Sequence, residues 1–246
     1  MRLRVVDLET TGGDRTSEII EVGFVDVTPD GQGGWRAQPP VTKLFRPRGE
    51  ISVHAMAVHH LTPAHFSDDD PHCDEYALRE MFLAEPADVM VAHAARFERG
   101  FIADTAVGGV PWICTVQSAK AVWPQAPGHS NQVLRYWRAL DLDPALANPA
   151  HRAGPDAWVT AHLLIDLLKE ATVEQMIGWT REPRRLERMP FGKHRGRPWS
   201  EAPLDYLQWM IGRPGMEADV VAAARQEIER RTATATGALA DGPDAG

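Results

Sequence analysis

The chain has 246 residues, 43% of them hydrophobic, with 34 acidic against 26 basic side chains and a net charge of −8. That composition suits one globular core with room for a small appended unit. No apolar run approaches the ~20 residues that span a bilayer, so no membrane association is expected. The opening MRLRVVDLET holds only a strand-length apolar stretch, which is too short for a secretory leader. Two cysteines, Cys73 and Cys114, form neither a CxxC nor a disulfide framework. A reduced, cytoplasmic setting is expected, with both thiols as packing residues.

In chain order, LRVVDLE reads as a β-strand ending at the turn cluster Thr10-Thr11-Gly12-Gly13. EIIEVGFVDV alternates as a second strand and TPDGQGG closes it, with VTKLFRP as a third. ISVHAMAVHHLT and EYALREMFLAE read as helical, ADVMVAH as a buried strand, RFERGFIADTA as a helix and PWICT as a short fifth strand. Helical patterns follow in VQSAKAVW, NQVLRYWRAL and PDAWVTAHLLIDLLKEA, the last with Pro155 at its first turn. Strands first and helices last predict an α/β sandwich around one sheet of about five strands, residues 1–172.

A composition shift near Thr172 marks a boundary. Residues 173–231 form a compact segment rich in Gly, Pro, Trp and basic side chains, and 232–246 are expected to be a disordered tail. Trp179 to Trp199 holds seven Lys/Arg (Arg181, Arg184, Arg185, Arg188, Lys193, Arg195, Arg197) against Glu182 and Glu187. This basic patch is either folded surface or a nucleic-acid clamp, with Lys193, Arg195 and Arg197 on phosphates and Trp199 or Trp209 stacking. SDDDPHCDE (67–75) lacks ordered ligand spacing and reads as a solvated acidic loop.

Asp7 and Glu9 stand two residues apart on the first strand and project to one side of the sheet. Alone, such a pair is simply a hydrated strand end. Asp156 lies in the first turn of the last long helix, where an acid suits the helix dipole, and His151 precedes it in a loop. Glu98 is flanked by Arg96 and Arg99, but on a helix its neighbours are Ala94, Ala95, Phe101 and Ile102. An acid facing an apolar stripe needs a partner in space, either a distant Arg or a metal ion. Together these carboxylates suit Mg²⁺ or Mn²⁺, and four of them could hold two ions, with neutral His151 taking a proton from water.

VVDLETTG, VAHAARFERGFI and HRAGPDAWVTAHLL resemble the three motifs of the DEDDh 3′→5′ exonucleases, which share a ribonuclease H-like fold. The resemblance extends to ISVHAMAVHHLT, WICTVQSAKAVWP, SNQVLRYW and FGKHRG, from about Leu3 to Ile211. It implies Asp7, Glu9 and Asp156 as ligands for Mg²⁺ or Mn²⁺, with His151 as general base; Glu98, facing its apolar stripe, is expected to be the fourth ligand of a two-ion site. It further implies Thr10 at the terminal nucleotide, His59 bordering it, and DNA 3′ ends as partner. The chain departs from the family pattern His-Asn-Ala-x-Phe-Asp, carrying Ala94 for the Asn and Glu98 for the Asp. Losing the Asn should remove a helix cap or loop hydrogen bond. The expected activity is release of nucleoside 5′-monophosphates from DNA 3′ ends. The alternatives are an RNA-trimming or proofreading role of the same fold, or a non-catalytic end binder whose site has decayed.

Overall fold

The computed structural model describes residues 1–14, 16–183 and 186–240, with side chains as far as Ala233. Arg184 and Arg185 of the basic run, and tail residues 241–246, lie outside the described residues. Two compact units divide after Arg181.

The first unit is built on a mixed sheet in the order β3-β2-β1-β5-β6, with β4 also pairing β2. Its strands are β1 Leu3–Thr10, β2 Ile19–Pro29, β3 Trp35–Ala37, β4 Val41–Leu44, β5 Val89–Ala92 and β6 Trp112–Cys114. The sheet therefore has six strands where five were expected. The extra one, β3, is a three-residue return after the TPDGQGG turn, too short to show a period of two. β1 is antiparallel to β2 and parallel to β5, and β5 is parallel to β6. The carboxyl ends of β1, β5 and β6 thus share one edge.

The helices are α1 Val53–His59, α2 Glu75–Leu83, α3 Glu98–Phe101, α4 Thr115–Val122, α5 Asn131–Trp137, α6 Ala153–Leu167 and α7 Val173–Arg181. They cover both faces of the sheet. Leu3, Val5, Val25 and Val91 pack with Ala157, Leu163 and Leu164 of α6. Val6, Leu8 and Met90 pack with Leu78 and Phe82 of α2 and with Ile102. A strand read as near-continuous apolar sequence is one buried on both sides, and β1 is of that kind.

Two expected boundaries move. α7 lies beyond Thr172 yet belongs to the first unit, because Val173 and Met176 bury in its core and Thr180 Oγ1 accepts the Cys114 N–H at 2.7 Å. Charge composition had marked the basic run; burial assigns the helix before it to the sheet. The second unit contains α8 Leu204–Gly212 and α9 Ala218–Ala240. The stretch from Thr232, expected to be unstructured, continues α9 to Ala240. A run with Leu239 as its one large apolar residue predicts little core contact, but its alanines have the highest helix propensity.

Candidate active site

The site begins with β1. Alternation places Asp7 and Glu9 on one side, between the buried Val6, Leu8 and Thr10. Pairing of β1 with β5 runs only to Val5↔Val91, so the end of β1 leaves the ladder there and opens toward the segment after β5. On the other side the β2 ladder sets Asp7 opposite Gly23 and Glu9 opposite Glu21, with a register shift between Glu9 and Thr10. Such irregularities re-aim side chains next to active sites.

Gly23 brings in the last long helix. A Cβ there would collide with the Ala153 backbone, so glycine alone lets the first turn of α6 cross β2 at this distance. That turn carries Asp156, whose Oδ2 accepts the His151 backbone N–H at 2.8 Å and whose Oδ1 accepts from Gln132 Nε2 at 3.1 Å. Asp7, Glu9 and Asp156 converge: each offers an oxygen within 4.8 Å of the other two. His151 is exposed beside them, with a left-handed backbone at φ 60°.

Glu98 stands outside that tight group. It is 3% exposed, and its Oε2 is buried with no hydrogen-bond partner. Arg96 and Arg99 are exposed on either side. The helix expected there is shorter than the sequence pattern implied: residues 93–97 are a turn, and α3 is one turn beginning at Glu98 itself. Ala94 adopts φ 74°, the left-handed region in which Asn is among the few tolerated residues. The missing Asn is therefore a matter of backbone conformation, not of a helix cap, since α3 starts four residues later.

Burial is the first cause of perturbation in all four acids. It pushes the Asp7 carboxyl well above the ordinary range, reinforced by the charges of Glu98, Asp156, Glu9 and Glu21. Glu9 is pushed up to about 8 by burial, Glu21 and Asp156, with Arg152 opposing. Glu98 also reaches about 8 through burial, opposed by its own backbone N–H and raised by Glu9. Asp156 is raised by burial against the His151 N–H. Clustered buried carboxylates cannot all ionise without a cation among them. An all-oxygen donor set with an orphaned carboxylate oxygen fits a hard divalent ion such as Mg²⁺ or Mn²⁺. Among the described residues this trio is the one such cluster, so the 67–75 loop contributes none; its Asp74 caps α2 through the Ala77 N–H.

The remaining expected residues separate. Thr10 is buried, and its Oγ1 donates to the Gly12 carbonyl at 2.6 Å. His59, expected at the substrate border, is only 2% exposed: Nδ1 accepts the Leu61 N–H and Nε2 lies 3.2 Å from the Thr10 carbonyl. It is a strut beneath the turn after β1. Burial lowers its pKa, in keeping with a neutral ring. Lys193 and Arg195 are exposed in the second unit. Trp199 is buried there, its indole N–H donating to the Leu186 carbonyl at 2.7 Å, which leaves Trp209 as the accessible aromatic. Sequence reasoning missed Glu21 and Gln132. Only the β2 register and the packing of α5 on α6 bring them to the cluster.

With this geometry the chain matches the family described as Exonuclease (RNase_T) over residues 5–164, and it belongs to that family. It is a nuclease that hydrolyses phosphodiester bonds. Exodeoxyribonuclease 10 of Escherichia coli strain K12 is 34% identical over 222 residues, 85% of this chain and 90% of that protein. The solved structure of Exonuclease X in complex with 5′ overhanging duplex DNA aligns at a TM-score of 0.59 and 33% identity, covering 72% of this chain and 99% of that one. E. coli Exonuclease I in complex with a dA16 oligonucleotide shares the fold, at a TM-score of 0.51 and 12% identity over 72% of this chain and 42% of that one.

Proposed function

We propose that the chain is a metal-dependent 3′→5′ exonuclease that removes nucleoside 5′-monophosphates from DNA ends. The carrying observation is the convergence of Asp7, Glu9 and Asp156 within 4.8 Å, next to the buried, unpartnered Oε2 of Glu98. DNA as substrate is supported by the names of the relatives, an exodeoxyribonuclease and an exonuclease bound to duplex DNA.

Asp7, Glu9, Glu98 and Asp156 would hold two divalent cations at the carboxyl edge of the parallel strands. When bound, such ions supply Lewis-acid stabilisation of phosphate charge and lower the pKa of water. A ring nitrogen of exposed His151 accepts the proton of the attacking water. Water oxygen bonds to the last phosphorus, the bond to the preceding 3′ oxygen breaks, and that oxygen leaves with a proton. Thr10 and His59 shape the turn that receives the terminal nucleotide, through its backbone, because both side chains are already engaged. Lys193 and Arg195 meet phosphates. The decayed-site alternative rests on Ala94 and Glu98; the retention of Asp7, Glu9 and Asp156 in one cluster, with His151 before Asp156, favours the enzyme.

The test uses DNA and RNA oligonucleotides labelled at either end, single- and double-stranded, with Mg²⁺ or Mn²⁺. A ladder shortening from the 3′ end of DNA, with mononucleotide product, is expected. Shortening from the 5′ end, or degradation confined to RNA, would overturn the reading.

A further inference from the structure

The second unit carries a feature that the carboxylate cluster does not use. Its core is formed by Met189, Trp199, Leu207, Met210, Val220 and Ala224. Arg231 ties α9 to that core, donating to the Trp199, Ser200 and Ala202 carbonyls. Trp209, by contrast, is 44% exposed on α8. α8 buries Leu207 and Met210 and leaves both Leu204 and Trp209 at the surface, so Trp209 adds little to that core.

Its surroundings have an ordered composition. The Tyr206 ring stacks on Trp209 with centroids 5.4 Å apart and planes inclined by 20°. The Arg213 guanidinium lies 4.9 Å from the Trp209 centroid, and Lys193 Nζ lies 5.2 Å from that of Tyr206. Lys193 and Arg213 are both exposed. The result is a ladder of cation, ring, ring and cation beside an open cleft of about 440 Å³, lined by Phe191, Gly192, Tyr206, Trp209, Arg213 and Glu217. The FGKHRG loop is fitted to this ladder. Gly192 has φ 74°, and a Cβ on it would strike the Tyr206 hydroxyl, so only glycine serves there. His194 packs edge-on to Tyr206 at 4.8 Å, and neither of its ring nitrogens has a protein partner. The loop thus sets Lys193, though exposed, with its Nζ over the Tyr206 ring.

We infer that Tyr206, Trp209, Lys193 and Arg213 form a second binding site, for unpaired bases of single-stranded DNA and their phosphates. A base has a flat π-face whatever its identity, and exposed aromatics flanked by cations bind single strands by stacking together with phosphate contact. A cation–π contact at an exposed site is weak, so a base can take the guanidinium's place on Trp209. Arg213 is then free to meet the adjacent phosphate through its N–H edge. The site needs no 3′ end and no divalent ion. It rests on the nuclease reading only for the choice of DNA as the nucleic acid.

The test is binding of the full chain to a labelled, covalently closed single-stranded DNA circle, which offers no end to the carboxylate cluster. The parent should bind the circle. Trp209→Ala should weaken binding about 5- to 150-fold, the range for losing one stacked base, while Trp209→Phe retains most of it. Arg213→Glu and Lys193→Glu, at exposed positions that do not endanger folding, should each make the dependence of log affinity on log salt shallower by about 0.7 or more. Circle binding that is absent in the parent, or unchanged in both Trp209→Ala and Arg213→Glu, overturns the site. A parent that binds circles but shortens no linear strand would sink the nuclease reading and leave this one standing.

Discussion

Arg152 grips Glu21. Its Nη2 and Nε donate to the two carboxylate oxygens at 2.6 and 2.9 Å, and the Ala153 backbone N–H donates to the same carboxylate at 3.0 Å. Glu21 is 1% exposed and faces Glu9 across the β1–β2 ladder. The clamp therefore fastens the first turn of α6, with Asp156 inside it and His151 just before it, to the strand beside β1. A helix N-terminus gains from an anion at its free N–H groups, and here β2 supplies it.

Removing that anion should loosen the site before it unfolds the protein. Glu21→Ala leaves a buried helix N–H and a partly buried guanidinium unpaired, a loss of roughly 2–3 kcal/mol. The expected outcome is a lowered melting temperature together with a lower cleavage rate per turnover. Arg152→Lys, which cannot reproduce the two-pronged contact, should show a smaller version of both. A Glu21→Ala protein that melts and cleaves like the parent would refute the clamp.

Ala94 holds a left-handed conformation that costs an ordinary L-residue about 1–2 kcal/mol. Ala94→Asn should recover part of that cost and raise the melting temperature of the first unit by about 2–4 °C for each kcal/mol regained. Equal or lower melting temperature would mean that the turn at 93–97 carries no such strain.

The acid cluster makes a signed pH prediction for metal-free protein. Burial pushes Glu9 and Glu98 each up to about 8 in the folded chain, against 4.5 for an exposed glutamate. Between those limits the unfolded chain has released protons that the folded chain keeps. Stability contributed below pH 4.5 is thus lost progressively as pH rises through 8. Melting in a chelating buffer should become easier across that window, and Glu98→Gln should flatten the trend. Added Mn²⁺ at pH 8 should raise the melting point by binding the ionised cluster. A melting temperature that rises with pH from 4.5 to 8 in chelator would contradict the buried-carboxylate account.

Glu98 carries one methylene more than the family's Asp, and its oxygens fall outside the 4.8 Å group formed by the other three acids. Mg²⁺ tolerates displaced ligands poorly, so activity should favour Mn²⁺. Glu98→Ala should lose most activity and Glu98→Asp keep much of it, as read from initial rates with each ion. Parent-like rates in Glu98→Ala would make the glutamate a bystander.

The parts of the site that follow a local rule were visible in the sequence. Asp7 and Glu9 share a side because strands alternate, and Asp156 falls in a first turn marked by Pro155. Glu21 was hidden in an alternating strand, because its partner is 131 residues away and only the register and the Gly23 crossing bring the two together. His59 was legible as a candidate by residue type, whereas its burial beneath Thr10 follows only from the fold. Trp199 and Trp209 could not be told apart by composition, and the fold buries one and exposes the other. The helix expected through Glu98 shrank to one turn because the left-handed Ala94 keeps residues 93–97 in a turn.

The central claim is that the converging carboxylates perform the hydrolysis. The most direct measurement is the rate at which 3′-terminal nucleotides leave single-stranded DNA in Mn²⁺, compared between the parent and Asp156→Ala, with His151→Ala alongside. Asp156→Ala should abolish release, and His151→Ala should slow it by about 10²–10⁴-fold, the usual contribution of a general base. Release by Asp156→Ala at the parent's rate would contradict the account.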